Sequence, residues 1–474
     1  MKSAWFLYFV FANLFLQAQN HDYNWYFGYS NDAQDPLLGG MTLNFKNSPP
    51  TLFAEKKQID FRIYSCVCSD STGKALFSTN GISIRNATHG LMENGDTLNP
   101  GEIWNSFKNL SYPSSAGAMA VPAPGLANHY YLIHFGLIYD DSVSNFRNTP
   151  LYYSLIDMNA NNGLGKVVRK NQVLLEGNLI PHAMVKHGNG RDWWIVTGVY
   201  DLPVQHVFWV SPKGITGPFT QVVGPPFTDH EGGGNSLFTP DGRTYIRHDG
   251  WNGPRIFDFD RCTGQLSNLR ILPFVHPFVT LQGAVSADSR YFYSSSLYEV
   301  MQFDLAAADM GATMDTVAIY DGYVAPFPPF ETGFQLANSG PDGKIYFATT
   351  GSTTALHVMH RPRLPGLSCD VELHGIALPK FNSGAMPRTP NYRLGEWEQS
   401  PCDTLNFQAA NDGFVKTGFP YSPVHVDTSY RLMSPVPRGA PPREPEGRRA
   451  GFSQRWPEEL EPWLNARRQV KNKE

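Results

Sequence analysis

Short apolar runs alternate with polar turns through most of the chain, and the alternation repeats. Six times a polar turn is followed by a stretch rich in aromatic and β-branched residues: Ser69 to Phe77, Pro124 to Leu132, Gly188 to Ile195, Thr239 to Ile246, Ser286 to Tyr293 and Gly340 to Phe347. The turns carry Asp-Gly, Asn-Gly or close equivalents, which supply the positive φ angles that tight hairpins need. Each unit then offers a further strand, such as Leu151 to Asp157, Val207 to Val210, Arg255 to Asp260, Val300 to Leu305 and Leu356 to Met359. Small, glycine-bearing segments precede the turns: Ser115 to Ala118, Gly232 to Ser236, Gln282 to Val285 and Gly333 to Leu336. Such residues suit strands crowded around a central axis. Turn centres about 50 residues apart match the period of propeller blades.

This spacing predicts an all-β fold, a β-propeller of seven four-stranded blades, with six or eight as the alternatives and fewer than about one residue in ten helical. The six units leave two terminal stretches, Asn24 to Gly28 onward and Phe381 to Gly395, which together are expected to build the seventh blade and close the ring. After about Cys402 the character changes. Residues 405–474 are rich in Pro and Arg, lack apolar alternation, and are expected to be a disordered tail dispensable for folding.

Composition supports the repeat reading. The chain has 474 residues, 41% hydrophobic and 13% aromatic, with only 17% charged. That length exceeds what a single core usually fills, so a shared repeat architecture fits better than one compact domain. The net charge of −4 offers no basic field for a phosphate backbone, which argues against nucleic acid as a partner.

At the N-terminus, Lys2 precedes an apolar run from Ala4 to Leu16, followed by Gln17, Ala18 and Gln19. This pattern predicts a signal peptide over residues 1–18, cleaved after Ala18, and an exported product placed outside the cell or on its surface. The run is too short for a membrane span, and no later segment qualifies. The propeller is then expected over residues 19–404.

The five cysteines, Cys66, Cys68, Cys262, Cys369 and Cys402, leave at least one thiol without an intrachain partner. Cys66 and Cys68, two apart in a strand, are expected to point to opposite faces and so not to bridge each other, and no CxxC pair suggests zinc. Nothing in the sequence implies a cofactor.

Certain segments resemble a family of secreted WD40/YVTN-like propellers common in Bacteroidetes. They are Asn24 to Gly28, Ser69 to Gly81, Asp157 to Gly165, Phe259 to Gly264, the Pro-Asp-Gly-Lys-Ile-Tyr run at 341–346, and Asn391 to Gly395. The likeness covers roughly residues 22–404 and lies in the order of the motifs. It implies a propeller at the cell surface, in a family whose members typically end in a sorting domain for type IX secretion. The arginine-rich tail does not look like that domain. Asp96-Thr97, Asp141-Ser142 and Asp315-Thr316, each followed by an aliphatic residue, look like the O-glycosylation sites of Bacteroidetes, and Asn86 and Asn109 head N-glycosylation sequons.

The most chemical-looking cluster is Asp229, His230 and Glu231, which runs into Gly232 to Gly234 and Asn235 at a predicted channel mouth. These four are the candidate ligand-binding residues. The alternative is that they are a solvated connection entering an inner strand. His182 with His187, and His129 with His134, are five apart and so face opposite sides of a strand, which argues against a shared metal. No paired carboxylates or nucleophile set can be assembled. The sequence therefore predicts a non-catalytic surface propeller binding a protein or a polysaccharide. The alternative is a carbohydrate-active hydrolase or lyase, which would gather titratable groups at the channel mouth.

Overall fold

The computed structural model describes residues 19–30, 36–141, 145–227, 231, 234–249, 251–272, 280–402 and 424–434. Seven antiparallel sheets follow one another along the chain as the blades of a propeller. Blade 1 contains β1 (Asn24–Gly28), β2 (Gly40–Asn44) and β3 (Thr51–Glu55); blade 2 contains β4 (Cys66–Ser69), β5 (Ala75–Thr79) and β6 (Ile84–Asn86). Blade 3 contains β7 (Ala118–Pro122), β8 (His129–Asp140), β9 (Asn145–Asp157) and β10 (Lys166–Leu175). Blade 4 contains β11 (Ala183–Lys186), β12 (Trp193–Gly198), β13 (Val204–Ser211) and β14 (Gly214–Val223). Blade 5 contains β15 (Ser236–Phe238), β16 (Thr244–Arg247), β17 (Arg255–Phe259) and β18 (Leu266–Ile271). Blade 6 contains β19 (Thr280–Val285), β20 (Tyr291–Ser296), β21 (Glu299–Asp304) and β22 (Asp315–Ile319). Blade 7 contains β23 (Phe334–Ser339), β24 (Ile345–Thr349), β25 (Ser352–Met359) and β26 (Val371–Ser383). Helix is confined, among the described residues, to α1 (Glu102–Phe107) and three short 3-10 turns.

The six sequence units are the hairpins joining the first and second strands of blades 2 to 7. They form because an acidic or amide side chain folds back onto its own turn. Asp241 accepts from the N–H of Arg243 (3.1 Å) and the hydroxyl of Thr239 (2.6 Å), and Gly242 takes φ 72°. Asp70 does the same for Thr72 and Lys74, with Gly73 at φ 91°. These turns lie on one face of the ring, called here the turn face. Between blades, aromatic layers interlock: Trp194, Tyr245, Phe257 and Phe259 fill the seam of blades 4 and 5, and Tyr293, Phe334 and Phe347 that of blades 6 and 7.

Seven blades are present, but they are not uniformly four-stranded. Blades 1 and 2 have three strands, and blades 4 and 5 have five. In blade 1 the inner strand β1 begins at the turn face, where Asn24 donates to the Gly73 carbonyl, and so runs in the direction of the second strand of the other blades. The innermost place of this blade is taken by the C-terminal stretch. Residues 384–395 pass down the bore without joining a ladder, since Pro387 and Pro390 have no N–H to give. The two terminal stretches thus complete one blade, as expected, but by packing rather than by pairing. Ala385 and Met386 share a core cluster with Trp25, Phe27 and Leu336.

Of the disordered tail expected over residues 405–474, residues 424–434 are described and form strands; the rest of it, like the signal peptide expected over residues 1–18, lies outside the described residues. β27 (Val424–Asp427) pairs in parallel with β14, and β28 (Tyr430–Leu432) with β18. Tyr430 and Leu432 remain exposed, at 51% and 63%. Both segments do alternate apolar and polar residues, Val424-His425-Val426-Asp427 and Tyr430-Arg431-Leu432, contrary to the expectation, and the unpaired edges of blades 4 and 5 offer them backbone hydrogen bonds. Met433 is buried beyond them, and the hydroxyl of Ser434 donates to Asp309.

Cys262 and Cys402 form a disulfide, while Cys66, Cys68 and Cys369 are free and buried. Cys66 and Cys68 lie in one core cluster, as residues i and i+2 of a strand share a face.

Several histidines are sealed in the seams. His134 touches Asn99 and Ser154, and burial pushes its pKa down to about 3; burial likewise lowers His187 and His357 to about 4. The unfolded chain takes up these protons near pH 6.5, whereas the native state resists them. Stability is therefore complete above about pH 6.5 and is lost as pH falls towards 4, each histidine contributing up to about 1.4 kcal/mol per pH unit. Urea unfolding at pH 7, 5.5 and 4.5 measures this, and a flat profile over that range would contradict it.

Candidate functional site

The bore opens at the turn face into a well of about 390 Å³. Its wall is built from inner-strand residues of blades 4 to 7, among them Val185, Asn235, Gln282 and Asn338. Its mouth is formed by the hairpin turns at Thr239, Ala287 and Gly340 to Gly343. The remaining side is the C-terminal segment, through Arg388, Thr389, Pro390, Asn391 and Arg393.

Arg388 closes the inner end. Its side chain is wholly interior and crosses the bore to three blades at once. It donates to the carbonyls of Ala116 in blade 3, His182 in blade 4 (2.8 Å) and Ser236 in blade 5 (2.8 Å). Those carbonyls sit at the starts of the inner strands, remote from the turns. Three bonds leave Nε–H and one Nη1–H without a protein partner. No carboxylate contacts the guanidinium among the described residues; the titratable groups beside it are the phenols of Tyr245 and Tyr64, which burial keeps protonated and uncharged. Burial lowers its pKa to about 10, which still leaves it fully charged at neutral pH. His182, next to it, is also fully buried, and neither of its ring nitrogens has a hydrogen-bond partner. Burial and the Arg388 charge hold that imidazole neutral.

Further down, Asn391 donates to the Pro240 carbonyl (2.7 Å), and the Tyr392 hydroxyl bonds the Ala120 carbonyl. Arg393 grips Asp22 through both oxygens, at 2.9 and 2.6 Å, so the chain's two ends meet as an ion pair at the mouth. The chain then leaves the bore: Arg261 holds the Gly395 carbonyl, Trp397 N–H donates to Gly188 (2.7 Å), and Cys402 closes its bridge to Cys262.

The sequence candidates fall in different places. Asp229 and His230 lie outside the described residues. Glu231 is buried at the opposite end of the blade, where it receives Arg247 Nε (2.8 Å) and the Asp201 N–H (2.8 Å). Arg247 also donates to the carbonyls of Leu202 and Val199, so this pair fastens a loop between blades 4 and 5. Asn235 does line the well. Its amide imitates a strand residue, donating to the Gly283 carbonyl (3.1 Å) and accepting the Gly283 N–H (2.9 Å), and so joins blade 5 to blade 6. Arg388, Arg393 and Asp22 were missed. Arg388 stands between Pro387 and Pro390, and a charged residue between two prolines was the available signal.

Among the described residues no group of three or more His, Cys, Asp or Glu could hold a metal ion, and no helix is long and apolar enough to cross a membrane.

No family model matches the chain, and no curated protein matches it in sequence. Solved structures are similar in fold. A Lactobacillus plantarum protein is 12% identical, covering 76% of this chain and 98% of its own, with a TM-score of 0.45. A Bacteroides fragilis protein described as a candidate 6-phosphogluconolactonase is also 12% identical, covering 76% and 97%, with a TM-score of 0.39. The β-propeller domain of Myceliophteria thermophila Cps50 (Swd1) is 12% identical over 65% of this chain and 87% of its own, with a TM-score of 0.38. Of the resemblance to secreted Bacteroidetes propellers, the seven sheets bear out the propeller fold alone. The expectation of a non-catalytic protein is corrected: similar propellers include candidate lactonases, so the scaffold gives no ground for excluding catalysis.

Proposed function

We propose that this propeller is an exported protein that takes up a small polar molecule, such as a sugar or the end of a polysaccharide chain, in the turn-face well of its bore. The observation that carries the reading is the well itself. It is open at one end and closed at the other, and its volume falls within the roughly 300–1,000 Å³ range of small-molecule sites. Asn235, Ser236, Gln282, Asn338 and Asn391 give it a polar lining on rigid inner strands. A whole protein or a broad polymer surface would not enter it. Export is supported by the disulfide, since such bonds persist in oxidising compartments, and by the signal-like residues 1–18.

The test uses Asn338→Trp. Asn338 is half-buried, and its amide reaches across to Thr389 at 3.5 Å, so an indole there fills the bore with little loss of bonding. Titration calorimetry of a panel of neutral and acidic monosaccharides should show saturable binding to the native chain and none to Asn338→Trp. Absence of binding across the panel, or binding unchanged in the variant, defeats the reading.

A further inference from the structure

We infer that the well selects a small oxyanion, the carboxylate or phosphate group of its ligand, which docks against Arg388 at the closed end with Arg363 at the mouth. This rests on the proposed use of the well and adds the chemical class of its occupant.

Charges around the well do not cancel. Asp22 is consumed by Arg393. Asp342, at the mouth, accepts the Tyr346 hydroxyl (2.7 Å) and the Lys344 N–H (3.3 Å). Arg363 lines the same space, is exposed, and forms no ion pair among the described residues. Arg388 has no counter-ion among the described residues. One carboxylate therefore faces two unpaired guanidiniums, and the deeper of these lies where water is scarce.

A buried cation held only by carbonyl dipoles is poorly compensated. Carbonyls supply partial charge, and three of them still leave two N–H donors of Arg388 unused. Charge-assisted bonds from a guanidinium to carboxylate or phosphate oxygens are stronger than neutral ones, and the two free donors, Nε–H and one Nη1–H, lie on different edges of the plane, so each can take one oxygen. The Arg388 chain is immobilised by its three existing bonds, so an incoming oxyanion pays no further ordering cost there. The neighbouring imidazole of His182, neutral and unpartnered, adds a donor or acceptor near the same end.

The experiment uses inorganic phosphate and acetate as minimal probes and glycerol as the neutral control, at matched ionic strength, read by calorimetric titration and by the melting temperature. Both oxyanions are expected to bind the native chain in the millimolar range, glycerol not at all. Arg363→Gln, at an exposed position, should fold normally and weaken both by about fivefold, the effect of one partly screened charge. Asn338→Trp should abolish both. The ratio of the phosphate and acetate constants distinguishes the two sources of the oxyanion.

Oxyanion binding that is unchanged in both variants would place the ions elsewhere and overturn the inference. So would a well that takes neutral monosaccharides, loses them in Asn338→Trp, and ignores phosphate and acetate; the reading of the well would then stand without its anion. Failure of every probe and every sugar removes both.

Discussion

Arg388→Met will lower the unfolding free energy by about 3–5 kcal/mol, because three buried carbonyls lose their donor together. Methionine keeps much of the length and apolar stem, so the loss comes from the acceptors on Ala116, His182 and Ser236 rather than from a cavity. Each orphaned carbonyl costs on the order of 1–3 kcal/mol, offset in part by no longer burying a charge. Arg388→Lys should recover only a fraction, since one ammonium cannot reach three blades in the plane of a guanidinium. Urea midpoints for the three chains, with unchanged slopes, measure the effect. If Arg388→Met unfolds at the native midpoint, the side chain is not the brace described here.

The second large effect belongs to the disulfide. Cys262 and Cys402 are separated by 140 residues. Closing so long a loop restricts the unfolded chain by about 5 kcal/mol in the loop-entropy account, and measured bridges usually return about 2–4 kcal/mol. Cys402→Ser is therefore expected to lower stability by that smaller amount. It should also release residues 396–402 from the turn at Cys262, since the remaining ties there are single hydrogen bonds such as Trp397 to Gly188. A chain ending at Asp403 keeps the bridge and loses β27 and β28. It should melt only a few degrees below the full chain, and above Cys402→Ser. The reverse order would show that the strap of tail strands, not the bridge, fastens this end.

The blades were legible because their signal is local. An Asp-Gly turn next to an aromatic strand marks a hairpin wherever it occurs, and the six turns found by pattern are the six first hairpins of blades 2 to 7. Blade 1 escaped that pattern because its inner place is filled by residues more than 300 positions away. The strand count per blade was hidden too: Val424-His425-Val426-Asp427 and Tyr430-Arg431-Leu432 alternate, but over only four and three residues, and nothing local shows which sheet edges recruit them. At the site, Asn235 stood out beside a glycine run, and it lies in the wall of the well, where its amide joins blade 5 to blade 6. Arg388 did not stand out, since what makes it unusual is the absence of any acid around it in three dimensions. Glu231 carried the opposite error: its charge suggested chemistry, but Arg247 was only sixteen residues away.

The covalent bond between blade 5 and the chain's exit from the bore also sets how the molecule would carry a mechanical load. Tension applied between the N-terminus and the far C-terminus would first peel the two parallel tail strands. It would then pass directly from Cys402 to Cys262. Blades 6 and 7 and the whole bore segment lie inside that covalent loop, so they would feel no pull while the bridge holds. A protein stretched between two anchor points could thus unravel blades 1 to 4 while blades 6 and 7 and the bore segment, one side of the well, keep their length. Breaking the one sulfur–sulfur bond would bring that sheltered length into the line of force.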